Sequence, residues 1–193
     1  MAVMSKKSLS AVKAKSEELK IPYENLLSAF VIEEAVTAVC ESDEAENFRL
    51  KNNSILSLEY YRRKAPTRLE YVILSEEELT VRNVIHRMSK IFQNEKKAEL
   101  WWKYRVEKED EGICVYLSAK IEELQIPVQL VLEQEKEEPS EPSHEELHPF
   151  LEEDRSVEYL HYPMEGILAE HFIRIMRDME LINDMGSYYI LYE

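Results

Sequence analysis

Apolar positions recur along this chain with two periods, and the changes from one to the other mark out the elements. Between residues 5 and 20, Leu9, Val12 and Leu19 fall at helical spacing among five lysines. They predict a short amphipathic helix ending near Ile21-Pro22, with the lysines on a solvated face. Leu26, Leu27, Phe30, Val31, Ala35 and Val39 predict a second helix from Tyr23 to about Cys40. A polar turn over 41–47 leads into Phe48-Arg49-Leu50, which reads as a strand, and then into the polar pair Asn52-Asn53. Ile55, Leu56, Leu58, Tyr60 and Tyr61 form a helical run. Leu69 to Leu74 reads as a strand, with Leu69, Tyr71 and Ile73 on one face and Glu70, Val72 and Leu74 on the other.

Ser75 and Glu78 form a Ser-x-x-Glu capping pattern. It predicts a helix to about Phe92 that buries Leu79, Val84, Ile85, Met88 and Ile91. Leu100–Val106 and Ile113–Ile121 alternate on either side of a Glu109–Gly112 turn and predict a hairpin, and Ile126–Leu132 predicts a third strand. The Pro- and Ser-containing segment 133–154 reads as a loop. After Tyr162-Pro163, a last helix carries Ile167, Leu168, Phe172, Ile175 and Met176 at helical spacing.

Composition narrows the classes. A chain of 193 residues with 45% hydrophobic content suits one domain with a substantial core. No apolar run reaches the ~18 residues of a membrane span. The Lys-rich start lacks an apolar signal core, so the expected location is the cytoplasm. Cys40 and Cys114 show no paired spacing and read as reduced, buried thiols. The net charge of −15 disfavours general nucleic-acid binding, which needs basic surface. Residues 133–154 hold ten acids and one lysine, so they supply −9 of it. The three glycines are too few for a Gly-rich phosphate cradle.

The stretch Phe48–Leu74 carries a resemblance. A strand, a tight turn, a helix, a basic cluster and a second strand within 27 residues resemble the core of the bacterial abortive-infection nucleotidyltransferase toxins. In that family a Phe-x-Leu-Lys-Gly-Gly turn precedes a helix, an Arg-x-Thr element and an Asp-x-Asp strand. Phe48, Leu50, Lys51 and Thr67 match. The resemblance aligns Asn52 and Asn53 with the glycines, Leu69 and Tyr71 with the two aspartates, and Val131 with a third metal-binding aspartate. It also places His171 at a functional lysine, within Met164–His171. Ser187 and Ile190 stand at two terminal aspartates. The implied fold is α+β, a nucleotidyltransferase-like palm with a mixed β-sheet flanked by helices, spanning 1–193 as a single domain that covers the family's N-terminal part.

Nucleotidyl transfer needs Mg²⁺ held by clustered carboxylates, and neither Leu69, Tyr71 nor Val131 can ligate it. The leading expectation is therefore a catalytically inactive palm, with no cofactor, that binds a protein partner. The resemblance implies a setting in bacterial defence, a toxin–antitoxin pair or a mobile element. Lys51, Arg62, Arg63, Lys64 and Arg68 are the candidates for residual nucleotide, RNA or partner contact. One alternative is an active transferase using Mg²⁺ and a nucleoside triphosphate, with relocated ligands drawn from Glu70, Glu133 and Glu135, modifying tRNA or protein. For that use Glu70 needs a one-residue shift of register; strand alternation reads it instead as solvated edge charge. A second alternative makes the acidic 133–154 segment a nucleic-acid mimic. His144-Glu145-Glu146-Leu147-His148 matches a zinc-protease string, but it lies among prolines without helical periodicity, so it carries no zinc expectation. The pairs Tyr60-Tyr61, Trp101-Trp102 and Tyr188-Tyr189 read as core or partner contacts.

Overall fold

The computed structural model describes residues 2–92, 100–109, 112–137, 140–152 and 154–177. Helices α1 (Ala2–Leu19) and α2 (Tyr23–Cys40) come first, as the periodicity predicts. Helix α2 is apolar nearly all round because it is covered nearly all round. Eleven of its residues are buried, from Leu26 to Val39. Strand β1 (Phe48–Leu50) follows, then a short turn of 3₁₀ helix and α3 (Leu58–Arg63), so the predicted run over 55–61 is split in two. Ser57 causes the split, taking an extended backbone and capping α3 through the Tyr60 N–H.

Strand β2 (Arg68–Leu74) and helix α4 (Val81–Ile91) come next. The cap of α4 is Thr80, paired reciprocally with Asn83, rather than Ser75 with Glu78. The Ser75 hydroxyl instead bonds the Glu77 carbonyl, and the chain bends at Glu76 and Glu77 without starting a helix before Thr80. Val84, Met88 and Ile91 form the buried stripe of α4, and Ile85 is exposed, contrary to expectation.

Strands β3 (Trp101–Glu109), β4 (Gly112–Ile121) and β5 (Leu124–Glu135) form an antiparallel meander. Segment 133–154 is not a loop throughout. It holds the end of β5 and a further strand, β6 (Ser143–Leu147), paired antiparallel with β7 (Val157–His161). Acidic side chains hid β6 because it is an edge strand, where charge on the outward face is tolerated and only Leu147 is buried. The HExxH string therefore lies largely on a strand, not on a helix. Helix α5 (Met164–Arg177) ends the described part, with Ile167 buried but Phe172 and Met176 exposed. Asp110, Glu111, the side chain of Ile175 and the Ser187–Tyr192 stretch lie outside the described residues.

The seven strands of the described residues make one mixed sheet in the order β3-β4-β5-β2-β1-β7-β6. Strand β2 runs antiparallel to β1 and parallel to β5, and β1 runs parallel to β7. The main core lies between one face of this sheet and α1, α2, α3 and α4. On the other face α5 covers only a small apolar group, Val72, Tyr162, Ile167 and Leu74. Among the described residues no helix is long and apolar enough to cross a membrane.

Candidate functional site

The less covered face of the sheet gathers the charged groups. Because directly paired residues of adjacent strands share a face, Glu70 lies beside Val131, Val72 beside Glu133, and Leu74 beside Glu135. Leu69 and Tyr71 point the opposite way. They are 0% and 3% exposed among the core side chains, and the Tyr71 ring meets Phe48 edge-on at 5.5 Å. The three positions that the resemblance aligns with metal-binding aspartates are thus split between the two faces. Glu70 is the acid of β2 that shares a face with Glu133 and Glu135.

Lys51 lies just past β1 and sends its side chain into this group. Its Nζ is 2.9 Å from Glu133 Oε2 and 2.6 Å from Glu170 Oε2, and 5.8 Å from the centre of the Tyr162 ring. The lysine side chain is 9% exposed and each carboxylate 38%. Burial works against the ammonium charge, but the hydrogen bonds and charges of Glu170 and Glu133 outweigh it and hold Lys51 above its ordinary range. The Tyr162 hydroxyl donates to Glu135 Oε1 at 2.7 Å, while its backbone N–H extends the β1 ladder to the Leu50 carbonyl at 2.9 Å. Burial and the Glu135 carboxylate push this phenol upward, so it stays a donor. Gly166 makes room for the ring, since a Cβ there would lie 2.6 Å from Tyr162 Cε1.

Asn52 is a structural clamp. Its Oδ1 accepts from the Glu70 N–H at 3.0 Å and its Nδ2 donates to the Arg68 carbonyl at 3.0 Å, so the side-chain amide pairs with β2 as a peptide group would. The Lys51 N–H donates to the Glu70 carbonyl at 2.8 Å and completes the join. Asn53 opens the 3₁₀ turn. Arg68 Nε holds Glu70 Oε1 at 2.9 Å, and Arg63 pairs with Glu59 at 2.5 Å. Arg62, Arg63 and Lys64 are exposed at the end of α3. His171 is half-buried on α5. Ser187 and Ile190 lie outside the described residues.

Each of Glu70, Glu133 and Glu135 already has a donor: Arg68, Lys51 and Tyr162. A divalent ion seated among them would have to displace one of these partners. Among the described residues, no three His, Cys, Asp or Glu side chains are grouped so as to hold a metal. Sequence reasoning did not anticipate Glu170 or Tyr162, which are separated from Lys51 by more than a hundred residues. The available signal was alternation along β2, which already put Glu70 with Val72 and Leu74.

No protein-family model matches this chain, and neither does any curated protein.

Proposed function

We propose that the chain is a nucleotidyltransferase-type palm that no longer transfers nucleotides and acts by binding a protein partner. The resemblance supplies the setting: bacterial defence, a toxin–antitoxin pair or a mobile element. The observation that supports this reading best is the position of Lys51, whose ammonium is shared between Glu133 and Glu170. A transferase palm uses its carboxylates to hold Mg²⁺, which neutralises a triphosphate. Here a tethered cation already pairs with two of the acids. Val72 and Val131, beside Glu133 and Glu70, add no metal-binding oxygen.

The test is isothermal titration with ATP, CTP, GTP and UTP, each with and without Mg²⁺. The expected result is no Mg²⁺-dependent binding in the micromolar range. Micromolar binding that needs Mg²⁺ would overturn the reading.

A second reading, the active transferase, is favoured by one observation: Glu70, Glu133 and Glu135 share a face of adjacent strands. It predicts transfer of labelled nucleotide to tRNA or protein in a cell extract, abolished by Glu70→Gln. Without such transfer the binding reading stands.

A further inference from the structure

Among the described residues, strand β3 is the outer strand of the sheet, hydrogen-bonded to β4 alone. It is nine residues long, and in an antiparallel ladder alternate residues turn their N–H and C=O groups away from the neighbour. Half of its backbone polar groups therefore face an open edge, which invites another strand. Natural edges commonly discourage this with scattered charge. The charges of β3 are instead segregated. Lys103, Arg105, Glu107 and Glu109 all point to the same face, all are exposed, and they run plus, plus, minus, minus.

That order is its own complement when reversed. We propose that β3 pairs antiparallel with β3 of a second copy of this chain, about a two-fold axis at Val106, joining two seven-stranded sheets into one. In this register Lys103 faces Glu109 and Arg105 faces Glu107, and symmetry repeats both pairs. On the other face Tyr104 lies against Lys108. Moving the register by two residues in either direction puts Arg105 against Arg105 or Glu107 against Glu107, so like-charge repulsion selects the Val106 register.

Within one chain, three of these four side chains already have local partners. Arg105 lies over the Tyr116 ring at 4.9 Å and reaches Glu107 of its own strand at 3.1 Å, with side chains 68% and 45% exposed. Glu109 is held by the Tyr116 hydroxyl. Lys103 has no carboxylate partner among the described residues, and a second copy would supply one. The proposal uses no residue of the Lys51 group and holds whether or not the palm binds nucleotides.

Sedimentation analysis of the full chain tests it. The wild type is expected to show a concentration-dependent mass rising from 22.9 kDa toward twice that value. Raising salt to about 0.5 M should weaken the association, because screening shortens the reach of exposed charge. Lys103→Glu with Arg105→Glu makes the row all acidic, and Glu107→Lys with Glu109→Lys makes it all basic. Each double variant is expected to be monomeric, while an equimolar mixture of the two recovers the dimer mass. The variant carrying all four changes again self-associates. A wild type that stays monomeric at several hundred micromolar would overturn the proposal, as would a dimer that survives the Lys103→Glu, Arg105→Glu change. Circular dichroism checks that each variant is folded. If one double variant fails to fold, the other with the salt series still decides the matter.

Discussion

Glu33 shows how a single residue ties distant parts together. It sits on α2, 3% exposed, where Oε1 accepts from the Tyr61 hydroxyl at 2.9 Å and Oε2 from the Phe150 N–H at 3.1 Å. Burial pushes its carboxyl up to about 8, although both hydrogen bonds pull the other way. The folded protein therefore holds a proton on Glu33 that the unfolded chain gives up near pH 4.5. Stability from this proton is fully present below that lower value and is lost as pH rises through about 8, by an amount on the order of a few kcal/mol. Glu33→Gln keeps the shape without the charge. It should raise the melting temperature at alkaline pH and flatten the fall between about pH 5 and about pH 8, as read by thermal denaturation. Parallel melting curves for the variant and the wild type would rule Glu33 out as the source. Lys51 makes the contrast: its buried charge is retained because two carboxylates meet it.

Among the elements, α4 separates local propensity from the actual helix start. Both Ser75 and Thr80 are capping residue types, and both precede a residue able to reciprocate. Thr80 takes the role because its hydroxyl accepts from the Asn83 N–H while the Asn83 side chain accepts from the Thr80 N–H. Thr80→Ala should cost about 1 kcal/mol, whereas Ser75→Ala should cost less than about 0.5 kcal/mol. Chemical denaturation of the two variants side by side measures the difference, and equal losses would count against this assignment. What local pattern could not reveal is the Gln134 side chain. Its Oε1 accepts from the Leu79 N–H at 2.6 Å, and its Nε2 donates to the Ser75 and Glu77 carbonyls at 2.8 Å each. These bonds from β5 tie down, in a non-helical bend, the residues where the Ser75 pattern would have begun a helix.

At the scale of the whole molecule, the acidic segment 133–154 is part of the frame. Leu147 and Phe150, 3% and 7% exposed, belong to the main core, and the Phe150 N–H is one of the two donors to Glu33. Deleting 133–154 removes β6 and both side chains. Since one large buried side chain is worth roughly 2–5 kcal/mol and a domain has only about 5–15 kcal/mol in total, the deletion should abolish a cooperative thermal transition. A deletion variant melting like the wild type would restore the view of this segment as a detachable acidic arm. Any test of nucleic-acid mimicry should therefore neutralise exposed acids, such as Glu141 and Glu146, rather than remove the stretch.

The sequence alone determined α1, α2 and strands β1 to β5, because each carries its apolar residues at a period that a local conformation can bury. It also determined that Glu70 and Leu69 must look in opposite directions along β2. Tertiary structure decided which of those directions faces the helices, since alternation is symmetric until one side is covered. It decided that Lys51 meets Glu133 and Glu170, 82 and 119 residues away, through a strand order that no local period encodes. The same holds for β6 and β7, where pairing with a neighbour, rather than a run of apolar residues, satisfies the backbone.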